Sequence, residues 1–168
     1  MNLLRSNLEF QVDEIYRFNG PQYFLSKIVN IPNDRIFLIG GAEDLSCKKS
    51  FNTVFEMALN QASNSYEMVP KANMLLSRAA FGSVVYPNYS QIFVCGGSIN
   101  ENEATKQCER YIIEQNVWKR LPDLNEPKFS QGLCFFNNGS TLYSFGGLLK
   151  TSQMQYQPTE KIESLSKG

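Results

Sequence analysis

Three stretches of the chain share one pattern of polar and apolar positions. Arg35-Ile-Phe-Leu-Ile-Gly-Gly41, Gln91-Ile-Phe-Val-Cys-Gly-Gly97 and Thr141-Leu-Tyr-Ser-Phe-Gly-Gly147 each run from a polar residue through four mostly apolar ones into a pair of glycines. Short β-branched and aromatic runs bounded by turn formers predict strands. Their continuous apolar character, in place of alternation, predicts strands covered on both faces. Before each run stands a turn: Pro32-Asn33-Asp34, Pro87-Asn88-Tyr89 and Asn137-Asn138-Gly139-Ser140. Asn-Gly suits the positive φ of a tight hairpin, so each unit is predicted to open with a hairpin and to add two further strands. The first glycines stand at 40, 96 and 146, giving spacings of 56 and 50. Periods of that size belong to repeated supersecondary units.

A glycine inside a strand is less favourable than alanine by roughly 0.5–1 kcal/mol. Gly40, Gly41, Gly96, Gly97, Gly146 and Gly147 are therefore expected to meet a close backbone approach or to need a positive φ. No GxxxxGK[ST] or GxGxxG pattern follows them, which argues against a phosphate loop. The flanks repeat in register as well. Gly82 and Gly132 lie fourteen residues before Gly96 and Gly146, and Arg78 and Lys128 lie eighteen before. An aromatic followed by proline recurs as Tyr66…Pro70 and Trp118…Pro122.

The apolar run ending in Gly-Gly, the Glu109-Arg110-Tyr111 strand, Trp118 and Leu121-Pro122 together resemble the kelch-repeat family. In the first unit Tyr66 replaces the tryptophan, and Ala58 or Leu59 stands where the tyrosine would be. The resemblance implies an all-β fold of kelch-type β-propeller blades, each a four-stranded antiparallel sheet. By register, blade one covers 22–69, blade two 78–121 and a partial blade three 128–166, with an extra strand at Leu8–Val12. About three blades are too few for a ring, since propellers have four to eight. Completion by further repeats of a longer propeller, or by a second copy that closes a six-bladed ring with exchanged end strands, is expected.

Composition narrows the function. Lys plus Arg and Asp plus Glu number 16 each, so the basic excess of a nucleic-acid binder is absent. There is no histidine, which removes Ser-His-Asp and Cys-His nucleophile systems and imidazole metal sites. It also removes the Tyr, Cys and His copper set that the oxidases among kelch-like propellers imply. Cys47, Cys95, Cys108 and Cys134 form no CxxC pair and read as reduced thiols of a cytoplasmic protein, with the cytoskeleton as one setting. No apolar run approaches the roughly 20 residues that span a bilayer. No catalytic residue, metal site or cofactor is expected.

The resemblance implies instead that loops after the diglycines line one rim and engage protein partners. Those loops cover 42–52, 98–106 and 148–157, with Glu43, Asp44, Asn100 and Asn102 as candidate contacts. Arg78 and Lys128 are open to two readings, ligand contacts or structural ion pairs. Tyr66, Tyr111 and Trp118 read as blade-packing aromatics. A sugar-converting isomerase built on carboxylates and arginines is the enzymatic alternative, and Glu56 and Glu109, read as equivalent strand positions, argue against it. A structural subunit of a cytoskeletal or ubiquitin-ligase assembly is the third class.

Overall fold

A computed structural model describes residues 23–33, 35–60, 65–151 and 155–166. The strand expected at Leu8–Val12 lies outside them. The first sheet is a meander of β1 (Lys27–Ile31), β2 (Arg35–Ala42), β3 (Ser50–Asn60) and β4 (Ser65–Lys71), each antiparallel to the next. The second sheet opens with β5 (Gly82–Val85) and β6 (Gln91–Cys95). A small ladder, β7 (Ser98–Asn100) with β8 (Glu103–Ala104), then projects from it before β9 (Cys108–Ile112) and β10 (Val117–Leu121) complete it. The third repeats the plan with β11 (Gly132–Phe136), β12 (Thr141–Phe145), a ladder of β13 (Leu148–Lys150) with β14 (Tyr156–Pro158), and β15 (Ile162–Ser166). It holds three strands, where its neighbours hold four. The described residues contain no α-helix and no closed ring, so the chain is an arc of kelch-type blades.

The sheets stack face to face, and the middle one is apolar on both sides. Ile92 and Val94 of β6 join Val29, Ile31, Phe37, Ile39 and Val54 of the first sheet, together with Tyr111 and Trp118, in one core. Phe93 and Cys95 of the same strand point the other way, into a second core with Cys108, Leu124 and Leu142. That two-sided burial is why β6 shows no alternation.

Each hairpin turn reaches its left-handed residue at one register position, seven before the first glycine. Asn33 (φ 66°), Tyr89 (φ 60°) and Gly139 (φ 85°) occupy it. The third turn is the most contorted, with Asn137 (φ 48°) and Asn138 (φ 53°) also left-handed inside a short 3-10 turn.

The diglycines bind unit to unit. Their φ values are 56° and 111°, 63° and 110°, and 55° and 105°, so the three backbones trace the same path. The second glycine donates its N–H to the backbone carbonyl of the next unit's cation: Gly41 to Arg78 at 3.0 Å and Gly97 to Lys128 at 2.8 Å. The first glycine leaves no room for a side chain, because a Cβ would lie 2.7 Å from the Arg78 carbonyl at Gly40 and 2.4 Å from the Lys128 carbonyl at Gly96. At Gly146 the nearest atom would be the Thr159 carbonyl at 3.4 Å. A second seam runs through Leu25, Ala80 and Ser130, all left-handed. There Ala80 N–H donates to Leu25 O at 2.9 Å and Ser130 N–H to Ala80 O at 2.6 Å.

The pairing register corrects two equivalences read from the sequence. Glu109 faces Val94, two residues before Gly96, and Glu163 faces Ser144, two before Gly146. Glu56 faces Phe37, three before Gly40, so the first-sheet counterpart of Glu109 is Phe55. Trp118 pairs with Tyr111, two residues beyond Glu109. The matching residue of the first sheet is Met68, paired with Met57, whereas Tyr66 pairs with Leu59. The cause is the loop after each diglycine, which differs in length from unit to unit and shifts any count made at a fixed offset.

Candidate functional site

Two kinds of polar constellation stand out, one buried between strands and one on a rim. The buried kind centres on the cations. Arg78 has no exposed surface, and its guanidinium forms an ion pair with the fully buried Glu109 at 2.5 Å. It also donates to Gly96 O at 2.8 Å and Gln107 O at 2.7 Å. Glu109 accepts a further bond from Leu75 N–H at 2.7 Å. Burial lowers the Arg78 pKa, against the opposing pull of the Glu109 charge. Lys128 repeats the theme with Glu163 at 3.0 Å, without hydrogen-bond alignment, while Asn125 N–H donates to the same carboxylate at 2.5 Å. Burial alone would raise the Glu163 carboxyl, but the Asn125 hydrogen bond and the adjacent Lys128 ammonium hold its pKa below the ordinary value. Glu56 is held low in the same way, since Arg35 and Lys71 outweigh its burial. Arg78 and Lys128 have no exposed surface, so they present no side-chain atom to a surface ligand.

The aromatics sit in the first core. Tyr111 packs on Phe37 and Trp118, with ring centroids 6.0 Å and 5.1 Å away, and burial pushes its phenol up to about 12. Trp118 donates its indole N–H to Ala72 O at 2.9 Å.

The rim constellation is built by the segments that follow the diglycines. The three units turn through the same angle at each glycine pair, so these segments emerge on one side and meet. Ser50 Oγ donates to Ser98 O at 3.0 Å. Lys150 reaches across from β13 and donates to Ser98 Oγ at 2.9 Å and to Asn100 O at 2.7 Å. Lys150 also lies 5.5 Å over the Phe129 ring, which meets Tyr156 edge-on at 5.5 Å. Burial lowers the Lys150 ammonium pKa, and nearby Cys47, Glu101 and Glu103 oppose that shift. Beside it, burial raises the Cys47 thiol, against a hydrogen bond to Ser98 and the Lys150 charge. Together these segments enclose a cleft of about 340 Å³ lined by Ser46, Glu101, Asn102, Lys150, Thr151 and Tyr156.

Of the residues picked from sequence, Asn102 lines this cleft and Asn100 supports it. The Asn100 carbonyl holds Lys150, and its side chain accepts from Asn102 N–H at 2.8 Å. Asp44 folds the first loop, accepting from Ser46 Oγ at 2.7 Å, and that bond keeps its carboxyl below the ordinary value. Glu43 is exposed on the same loop. Sequence reasoning missed Lys150, Tyr156 and Ser98. The available signal was positional, since each lies within eleven residues after a diglycine. The described residues hold no group of three or more potential metal ligands. None of their helices is long and apolar enough to cross a membrane.

Comparison with known proteins agrees with this geometry. The Kelch motif family model matches residues 77–125, the span of the second unit. The chain is 23% identical over 129 residues to a RING finger domain and kelch repeat-containing protein of Dictyostelium discoideum, covering 77% of this chain and 12% of that protein. It is 24% identical over 130 residues to alpha-scruin of Limulus polyphemus, covering 77% of this chain and 14% of that protein. The chain thus spans a small fraction of the curated relatives it matches. The Kelch motif thus falls on the second sheet, and the first and third sheets repeat its glycine geometry.

Proposed function

We propose that the chain is a non-catalytic interaction module that holds protein partners on the rim where the post-diglycine segments meet. The observation that carries this reading is the convergence of three separate units on one cleft, through Ser50, Ser98 and Lys150. The cleft offers one ammonium, one carboxylate, an amide, hydroxyls and an exposed tyrosine. Such a mixture suits a polar peptide surface with an apolar anchor. Among the described residues Glu101 is the one acid lining it, which gives no paired carboxylates of the kind a sugar isomerase uses. The exposed outer face of the third sheet supports a larger ring, completed by further units or by a second copy. The four free thiols among the described residues fit a reducing compartment.

The test compares affinity capture by the wild-type chain, a Lys150→Glu/Tyr156→Ala variant and a remote Lys119→Ala control, with quantitative mass spectrometry of bound proteins. Partners held by wild type and control and lost by the rim variant are the expected result. Equal recovery on all three would overturn the rim assignment.

A further inference from the structure

Cys95 ends β6, Cys108 opens β9, and the two stand directly opposite each other in the second sheet. Both are fully buried and face the core between the second and third sheets. The ladder fixes the type of pairing. Gly96 N–H donates to Gln107 O at 3.0 Å, so the hydrogen bonds flank the cysteines and leave them as a non-hydrogen-bonded pair. Such pairs hold their Cα atoms about 4.5 Å apart, inside the range of roughly 4.4–6.8 Å that a disulfide spans. The thiols are already in contact. Cys95 shares a hydrogen bond with Cys108, and that bond, with burial, raises its pKa. The Cys108 thiol donates in turn to Lys106 O at 3.8 Å.

The other units put apolar residues at this register, Ile39 with Val54 in the first sheet and Phe145 with Ile162 in the third. Packing therefore asks only for apolar bulk here. One cysteine supplies that, but a thiol on both strands at once adds a chemistry that bulk does not need. The pair also stands at the base of the rim. Residues 96–107 leave β6 and return to β9, and they carry Ser98, Asn100, Glu101 and Asn102 of the cleft. Arg78 gathers that base without a covalent bond, by donating to Gly96 O and Gln107 O.

We propose that Cys95 and Cys108 are a reversible redox pair whose disulfide staples the rim loop at its base, with a peroxide as oxidant. The Cys95 thiolate attacks one peroxide oxygen and breaks the O–O bond, which leaves a sulfenic acid and releases one water. The Cys108 sulfur then attacks the Cys95 sulfur. The S–S bond forms, and the hydroxyl departs with the Cys108 proton as a second water. Two thiols lose two electrons and two protons, and the peroxide takes both. The charges of Arg78 and Lys128 favour the Cys95 thiolate, against its hydrogen bond and burial. Both sulfurs lie in one core with Leu124 and Leu142, so peroxide reaches them when the third sheet lifts from the second, an opening short of global unfolding. Disulfides of reducing compartments are of this transient kind. The staple stands on the ladder geometry, whereas its effect on partner capture rests on the rim reading.

The test treats the whole chain with hydrogen peroxide under native conditions, alkylates the remaining thiols in denaturant and maps every cysteine by mass spectrometry without reduction. A cross-linked peptide joining Cys95 to Cys108, lighter by two hydrogen atoms and restored by dithiothreitol, is the expected product. Amide exchange across 98–102 should slow several-fold in the oxidised chain, with β6 and β9 protected as before. Cys108→Ala should leave Cys95 as a sulfenic acid that dimedone traps, and a Cys134→Ser control should form the cross-link at the wild-type rate. Recovery of both thiols alkylated, or joining of Cys95 to Cys47 or Cys134 instead, would overturn the pair. Faster exchange of β6 and β9 on oxidation would also overturn it, as the mark of a bond that breaks the ladder. No partner enters this readout, so a failure of the rim reading would leave it unchanged.

Discussion

The second and third sheets are the same construction in two states of completion. The second is covered on both faces, and Arg78 spends its guanidinium on Glu109, Gly96 and Gln107. The third is covered on one face. Phe136, Phe145 and Ile162 on its outer side remain 61%, 42% and 60% exposed. Their register counterparts in the second sheet, Tyr86, Cys95 and Cys108, belong to the core against the third. Among the described residues, the cation of the third unit is a lysine with one ion pair, and no following carbonyl presses against its diglycine. The difference teaches that a unit of this fold is finished by its neighbour. Its own strands form the sheet, and the next unit supplies the far wall of its core and the partner for its glycines.

The comparison breaks most visibly at the buried cations. Arg78→Met strands Glu109 without its partner and should cost about 3–5 kcal/mol, read as a lowered urea midpoint. Lys128→Met should cost about half as much, because lysine lacks the guanidinium fork and gives up a single ion pair. Equal losses would show that the two sites are energetically alike despite their geometry. The glycines come next. Gly146→Ala carries the left-handed penalty of about 1–2 kcal/mol, whereas Gly96→Ala adds a clash with the Lys128 carbonyl and should cost at least twice that. Thermal melts of the two variants rank them directly.

The smallest effect is the pH dependence. The Glu163 carboxyl titrates lower in the folded chain than in the unfolded one. Its contribution is therefore complete above the unfolded value, about 4.3, and is lost as pH falls through the folded value. Glu163→Gln should be less stable than wild type near neutral pH and should converge with it in acid. Parallel stability curves for the two proteins would remove Glu163 from the account.

Much of this plan was legible in the chain. The three diglycines, the turn seven residues before each, and the Arg78 and Lys128 pair all sit at constant offsets, because hairpins of fixed geometry separate them. Two-sided burial of β6 was legible in its unbroken apolar run. What lies after the glycines was not. The segments from diglycine to third strand differ in length, so Glu163 escaped notice, Glu56 was matched to Glu109, and Tyr66 was matched to Trp118 although Met68 holds that register. Lys150 was illegible for another reason. A lysine in a polar loop looks like any solvated charge until Ser98 and Asn100, fifty residues away, close around it.

The hydrogen bonds from Gly41 to Arg78 and from Gly97 to Lys128 give the arc a direction. Each clasp belongs to one unit but is fastened by the unit after it. Removing the last unit therefore unfastens the one before, whereas removing the first leaves every later clasp shut. An arc built this way wears from one end. Its hydrogen-exchange protection should fall from the second sheet to the third, and any segment that docks on the third sheet would extend the protected zone by one whole unit.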